Sequence, residues 1–303
     1  MTDVVIAIIP VFAIIALGAL LRRLAFLPED GWRAVEQLTY FVLFPCFLFS
    51  AIAFADFANQ PVGRMALLLA GAMIVMAALT FPFRAALALD GPAFTSLFQG
   101  AIRWNSYVAL GAIAAVLGPS GLALIAIAVA VMVPLANLLC VIVLMRNNGQ
   151  SANIATLARQ LATNPLILAC LAGIAVQAIG LPLPKVATTT IDLLGKAALP
   201  LGLLAVGASL DLGNALSRPS PVVAAMILKL AIMPLIVAAG ATALGVTGDA
   251  KMAALICAAV PGAPSSYILA RQLGGDAPLM ANITTAQTLA AMVTMPISLW
   301  LLV

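Results

Sequence analysis

The sequence has very little charge and no histidine. Asp, Glu, Lys and Arg make up 8% of its 303 residues, whereas 64% are hydrophobic. An ordinary soluble domain has about 25% charged residues, and this chain has too few to cover a soluble surface. The composition therefore excludes a soluble enzyme, a disordered protein and a nucleic-acid binder, and it favours a polytopic membrane protein. The absence of histidine also removes the commonest metal ligand and general base.

The chain has few cysteines, and their spacing does not indicate a metal site. Each cysteine stands alone in an apolar run, and no two have the spacing of metal ligands. We interpret them as small buried hydrophobic residues. They are Cys46, Cys140, Cys170 and Cys257. No metal and no cofactor are expected.

Ten apolar runs approach the length of about 20 residues that a transmembrane helix needs. They lie at about 4–21, 32–55, 62–83, 94–117, 121–145, 164–180, 185–210, 221–245, 251–273 and 278–302. The first run is interpreted as a retained span, because Arg22 and Arg23 follow it, whereas a cleavable signal has its positive charge in front. The sequence predicts an all-α polytopic membrane protein with ten spans.

The spans divide into two halves that resemble each other. Pro45 in span 2 and Pro200 in span 7 are each followed eleven residues later by an aspartate, Asp56 and Asp211. Late prolines also recur in spans 5 and 10. We predict a first five-helix repeat at 1–146, a short cytoplasmic linker at 147–163 with an interfacial helix at 153–163, and a second repeat at 164–303. Because each repeat has five spans, the repeats must be inverted, as in many secondary transporters.

The distribution of Lys and Arg predicts the orientation in the membrane. Eight of these residues fall in loops on one side, three fall on the other side, and three lie inside spans. By the positive-inside rule, the side with eight is cytoplasmic. Both termini are then predicted to lie outside the cytoplasm, and the chain to be a multi-pass protein of the cell (inner) membrane.

The middle of span 4 carries a polar cluster. Its residues are Arg103, Trp104, Asn105, Ser106 and Tyr107. An arginine about ten residues, roughly 15 Å, from the start of a span usually faces a partner or a wet cavity. We predict that Arg103 has a role in binding or in the transport pathway. The alternatives are that it neutralises an acid or that its side chain reaches the membrane surface.

The middle of span 9 has a sequence that cannot continue a regular helix. Its residues are Pro261, Gly262, Pro264, Ser265, Ser266 and Tyr267. Two prolines and a glycine so close together interrupt a helix, and the freed backbone groups need partners that lipid does not offer. We expect Ser265 to cap a second half-helix. Spans 4 and 9 are predicted to be broken helices that cross near the bilayer centre, with Asn105 close to Pro261. The alternative is a kink that only shapes the packing.

Other polar residues inside spans have more than one interpretation. Asn137 lies in span 5, and Asn282 and Thr285 share one face of span 10. Each of them either lines a substrate cavity or links helices by hydrogen bonds. Asp192 and Lys196 in span 7 are spaced as an intrahelical ion pair and are interpreted as structural. The Lys229 side chain in span 8 is expected to reach the cytoplasmic surface.

Spans 3–5 and 8–10 have no Asp or Glu deep in their apolar runs. A proton relay through a carboxylate or imidazole therefore has no evident candidate there. Sodium can bind to carbonyl and hydroxyl oxygens at a broken helix, so sodium coupling stays open. An intramembrane enzyme, such as a prenyl or lipid transferase, would need clustered acids or histidines, which the sequence does not show. We therefore predict that the chain is not an enzyme.

At these residues the chain resembles the auxin efflux carrier family, which comprises the plant PIN proteins and shorter bacterial members. The resemblance covers essentially the whole chain and rests on Pro45, the cluster around Asn105, residues 198–210 and Pro261. The family usually has Pro or Gly before the asparagine of span 4, where this chain has Trp104. The short linker between the halves is similar to that of the bacterial members.

The resemblance implies a homodimer in the lipid bilayer, with an outward N-terminus. It implies a scaffold of spans 1, 2, 6 and 7, and a mobile transport domain of spans 3–5 and 8–10 that moves by an elevator mechanism. It also implies a small organic anion as substrate, for which auxin and dicarboxylates such as malonate are family precedents. A sodium-coupled organic-anion symporter of the bile-acid symporter type is the alternative.

Overall fold

The computed structural model describes residues 2–54, 61–147, 162–180, 182–213, 215 and 217–302. Twelve helices cover most of this part of the chain. They are α1 Thr2–Arg23, α2 Glu29–Ala53, α3 Val62–Ala86, α4 Gly91–Ile102, α5 Ser106–Leu117, α6 Pro119–Asn147, α7 Pro165–Ile179, α8 Lys185–Ala208, α9 Pro219–Leu244, α10 Gly248–Ala259, α11 Ser265–Gln272 and α12 Ala277–Leu302. Asp56 and residues 148–161, which include most of the predicted linker and interfacial helix, lie outside the described residues.

Eight segments in the described ranges are long and apolar enough to cross a membrane. They correspond to α1, α2, α3, α4 with α5, α6, α8, α9 and α12. The two other predicted spans correspond to α7, which has 15 residues, and to the broken pair α10 and α11. Ten crossings and an inverted repeat therefore stay predictions, whereas the helical, membrane-spanning class is established.

Two long helices each contain one π-helical turn. The turn in α2 is Thr39–Leu43 and the turn in α9 is Leu228–Ile232. Each is followed closely by a proline, Pro45 or Pro234. Proline lacks the backbone N–H and its ring collides with the carbonyl four residues earlier. The wider π turn gives that carbonyl room, so both helices continue past their prolines.

Helices α1, α2, α7 and α8 form one packed group. α1 lies against α8, and α2 lies between α7 and α8. The contact between α1 and α8 depends on glycine, because a Cβ atom at Gly18 would collide with the carbonyl of Leu204. A Cβ atom at Gly207 would likewise collide with the carbonyl of Ile15. Small residues allow two membrane helices to approach this closely.

The remaining helices form a second packed group. α3 contacts α6 and α9, α12 contacts α4, α10 and α11, and α6 contacts α4, α5 and α10. The breaks between α4 and α5 and between α10 and α11 lie inside this group. Contacts of α1 and α8 with α5, and of α7 with α6, join the two groups. The breaks therefore lie in the middle of the protein, next to the first group.

Candidate functional site

The first broken helix ends and restarts through a side-chain cap. α4 ends at Ile102, and Arg103 has an extended backbone, with φ −71° and ψ 149°. Asn105 is the N-cap of α5, and its Oδ1 accepts hydrogen bonds from the backbone N–H groups of Tyr107 (3.1 Å) and Val108 (3.2 Å). Asparagine is among the best N-cap residues because its side chain satisfies these otherwise free donors. The break lies where the sequence predicts it.

The second broken helix ends and restarts without a side-chain cap. α10 ends at Ala259, and Val260 has an extended backbone, with φ −69° and ψ 152°, which closely matches Arg103. Pro264 is the N-cap of α11 and makes no side-chain capping bond. The expectation that Ser265 caps this helix is wrong, because Ser265 is already its first helical residue. Its hydroxyl is therefore free to accept a hydrogen bond from another helix.

The two breaks touch each other. The backbone N–H of Asn105 donates to the carbonyl of Pro261 at 2.8 Å. This bond joins the extended segments at which two helices of the chain are interrupted. Each supplies a backbone partner that the other would otherwise lack inside a membrane. The predicted proximity of Asn105 and Pro261 is present in the structure.

Gln287 on α12 links the two broken helices by hydrogen bonds. Its Oε1 accepts from the backbone N–H of Gly262 at 2.9 Å, and its Nε2 donates to the carbonyls of Gly100 (2.9 Å) and Ala225 (3.0 Å). Gln287 is fully buried. One side chain thus links α4, α9, α12 and the second break. Gln287 is not among the predicted site residues, and only the fold shows that it belongs to the crossing.

Arg103 connects the two broken helices to α6. Its Nη1 donates to Oδ1 of Asn137 at 2.8 Å, and its Nη2 donates to Oγ of Ser265 at 3.1 Å. The side chain is partly buried, and its Nε has no hydrogen-bond partner among the described residues. The nearest groups are thus neutral. The described residues form no ion pair with Arg103, so its charge is available to an anion.

A small cavity of about 50 Å³ lies between the two breaks and helices α2 and α8. Its lining comes from α2, α8 and both breaks. The lining residues are Glu36, Tyr40, Asn105, Ser106, Tyr107, Gly202, Ala205, Val206, Ala263, Pro264 and Ser265. Glu36 and Tyr40 are not among the predicted site residues. Deep acids were sought as proton carriers in spans 3–5 and 8–10, whereas Glu36 enters from α2.

Buried polar atoms without hydrogen-bond partners concentrate around this cavity and crossing. Most side chains of this kind in the described part of the chain belong to the breaks or to the helices beside them. They include Gln99, Arg103, Asn105, Tyr107 and Ser266. Buried polar groups in folded proteins are nearly always paired. A cluster of unpaired donors is therefore a candidate binding site for a polar ligand or for water.

Several residues from the predicted site lie elsewhere. Tyr267 is 39% exposed, and Trp104 is buried in the apolar core. Asn282 donates to Oγ of Ser217 at 2.7 Å, and Oγ1 of Thr285 accepts from the backbone N–H of Asp211 at 3.0 Å. These two residues link α12 to the segment after α8. They do not line the cavity.

The two lysines inside spans differ from each other. Lys196 pairs with Asp192 at 2.6 Å on the exposed part of α8, as the spacing predicts. The expectation that Lys229 reaches the membrane surface is wrong, because its side chain is fully buried and close to Cys257. Its Nζ has no hydrogen-bond partner in the described part of the protein. The π turn that contains Lys229 packs against α4, α10 and α12, which leaves no route to the surface.

A larger groove lies among the helices that adjoin the small cavity. It has a volume of about 560 Å³ and is lined by α2, α5, α6 and α8, with the Asp192–Lys196 pair at its edge. The ring of Tyr107 packs against Phe44, with centroids 5.0 Å apart, and Phe44 packs against Phe47. Phe47 lines the groove and Tyr107 lines the cavity. These three packed rings therefore extend from the lining of the groove to the lining of the cavity.

Comparison with known proteins identifies a family. The profile of a family described as membrane transport protein matches residues 3–299 of the chain. The match covers nearly the entire sequence, including both breaks. No individually curated protein matches the chain.

Proposed function

Because this chain belongs to the membrane transport protein family, the family of the auxin efflux carriers, we propose that it is a secondary transporter of small organic carboxylates. The family indicates a membrane transporter, which is consistent with the expectation that the chain is not an enzyme. The choice of an organic carboxylate comes from the chemistry of the crossing.

The position of Arg103 is the main observation that supports this proposal. It is a cation beside the paired breaks, and its hydrogen-bond partners, Asn137 and Ser265, are both neutral. The N-termini of α5 and α11 begin at the same place, and each contributes roughly half a positive charge. A carboxylate bound here would interact with three sources of positive potential in a site of low dielectric constant.

The grouping of the helices supports an elevator mechanism. We assign α1, α2, α7 and α8 to a scaffold, and the helices that carry the breaks to a transport domain. The small cavity lies at the boundary of these two groups, with Glu36 and Gly202 on the scaffold side. Sliding of one group along the other would carry a substrate at this boundary across the membrane. We further propose a homodimer in the inner membrane, with both termini outside the cytoplasm.

We propose that the membrane potential drives efflux. The transport-domain spans have no carboxylate deep in their apolar runs, so no proton-binding acid moves with them. An anion that leaves a negative-inside cell gains about 2.3 kcal/mol per charge per 100 mV. Efflux then needs neither a sodium gradient nor a proton gradient.

Flux measurements in liposomes test this function. Purified protein is reconstituted, labelled malonate or auxin is loaded, and a potential is imposed without sodium or pH gradients. We expect flux in the direction that the potential favours, and no flux in protein-free liposomes. Strict dependence on a sodium gradient would instead support the symporter alternative. Labelling of a cysteine added at the C-terminus tests the orientation, and labelling from the cytoplasmic side would contradict it.

A further inference from the structure

We infer that the substrate carries a hydrogen-bond donor close to its carboxylate, and that Glu36 selects for this donor. The ligand class is then a compact carboxylate with a neighbouring O–H or N–H group. The inference rests on the proposed function, because it concerns the substrate of the same site. It adds a requirement that Arg103 and the helix ends do not impose.

The transport-domain side of the site offers donors. The Asn105 amide, the Tyr107 hydroxyl and Nε of Arg103 are buried, and none has a hydrogen-bond partner among the described residues. Asn105 and Tyr107 line the cavity. A carboxylate has only acceptor atoms, with about four lone-pair positions. It is the chemical group that such a set of donors fits.

The scaffold side offers an acceptor. Glu36 lines the same cavity and lies close enough to Tyr107 for an electrostatic interaction. It makes no hydrogen bond or ion pair with any residue that the structure describes. An ionised carboxylate is an acceptor only. A ligand that presented oxygen lone pairs to Glu36 would be repelled, whereas a ligand with a donor at this position would be bound.

Glu36 differs from the other acids at the start of α2. Glu29 is exposed at the first residue of the helix, whereas Glu36 is half-buried two turns later, about 10 Å further along the axis. A half-buried carboxylate in a helix that crosses the membrane needs a partner or a wet cavity. Here it faces the cavity beside the crossing, so the ligand of that cavity is the partner available to it.

The size of the cavity restricts the position of the hydrogen-bond donor on the ligand. About 50 Å³ has room for only a few atoms between Glu36 and the donors of the first break. The donor must therefore lie close to the carboxylate, as in 2-hydroxy acids.

Matched pairs of ligands test the inference. Lactate is compared with propionate, and hydroxymalonate with malonate, because each pair differs by one hydroxyl group at constant charge. Dissociation constants are measured with purified protein in nanodiscs by calorimetry. We expect the hydroxylated member to bind about tenfold or more tightly, the usual effect of a hydrogen bond to a charged group. For Glu36→Ala we expect the ratio to fall toward one. For Glu36→Gln, which keeps an acceptor oxygen without the charge, we expect a reduced preference.

Glu29→Ala is the matched control, since it removes an exposed carboxylate from the same helix, and its ratio should equal that of the wild type. Equal binding of both members of each pair by the wild type would overturn the inference and leave the proposed function standing. A preference that persists in Glu36→Ala would overturn the role of Glu36. Failure of all four carboxylates to bind would overturn the proposed function itself. The wild-type ratio and the near-isosteric Glu36→Gln keep the test valid if Glu36→Ala does not fold.

Discussion

The break between α4 and α5 and the break between α10 and α11 have nearly the same backbone but different chemistry. At the first break, no proline or glycine interrupts the chain, and Asn105 caps the new helix with its side chain. At the second break, Pro261, Gly262 and Pro264 interrupt the helix and no side chain caps it. The first break thus depends on hydrogen bonds, and the second on residues that do not fit a regular helix.

This difference indicates how the crossing resists change. A hydrogen-bonded cap is lost by one substitution, whereas several residues together prevent α10 from continuing into α11. The second break nevertheless depends on another helix, because Gln287 is the only partner of the Gly262 N–H among the residues that the structure describes. Substitutions at these positions test the comparison.

Gln287→Leu is expected to have the largest effect. It removes three buried hydrogen bonds, to Gly262, Gly100 and Ala225. The N–H of Gly262 and the carbonyl of Gly100 are then unpaired, whereas the carbonyl of Ala225 keeps its bond from the N–H of Leu228. Each unpaired buried group costs about 1–3 kcal/mol, so we expect a loss of about 2 kcal/mol or more. The measurement is thermal unfolding in detergent, with Gln272→Leu at the exposed end of α11 as the control. A variant as stable as the control would show that Gln287 does not hold the second break.

Arg103→Gln is expected to affect binding more than folding. The substitution removes the charge beside both breaks, while a polar side chain remains near Asn137 and Ser265. We expect the affinity for a carboxylate to fall about tenfold or more, with normal chromatographic behaviour of the purified protein. Lys196→Gln, in the exposed ion pair of α8, is the control and should change affinity little. Unchanged affinity in Arg103→Gln would leave Arg103 a structural role only.

Asn105→Ala is expected to weaken the first break alone. Loss of an N-cap asparagine costs about 1 kcal/mol, and transport should fall because the start of α5 lies at the cavity. Asn282→Ala is the control, since it removes one hydrogen bond to Ser217 within a continuous helix. We expect Asn105→Ala to impair transport more than Asn282→Ala. A larger loss of transport in Asn282→Ala would show that the binding site does not lie at the first break.

Pro264→Ala is expected to have the smallest effect. Pro264 has φ −56° and ψ −34°, a conformation that alanine adopts without strain, and Pro261 and Gly262 remain in place. The cost should be less than about 1 kcal/mol, mainly from greater freedom of the unfolded chain. Thermal unfolding measures it. A loss larger than that of Asn105→Ala would show that the second break depends on one proline, contrary to the comparison.

Both breaks are recognisable in the sequence, but the sequence specifies the second break more fully than the first. The prolines of span 9 restrict the backbone locally, so the position of the second break follows from the residues themselves. For span 4 the signal is a polar cluster in an apolar run, which marks a site without showing how the helix restarts. The capping role of Asn105 and the bond from its N–H to Pro261 depend on where α5 and α10 lie.

The sequence by itself determined the membrane class, nearly all helix positions and the location of both breaks. Apolar length, proline and glycine act over a few residues, and the cost of unpaired backbone groups in lipid enforces their effect. Only the tertiary structure placed Glu36 at the cavity, buried Lys229 and joined Gln287 to Gly100, 187 positions away. Such contacts depend on which helix faces pack together, and a chain of apolar helices has few charged residues that would mark those faces in advance.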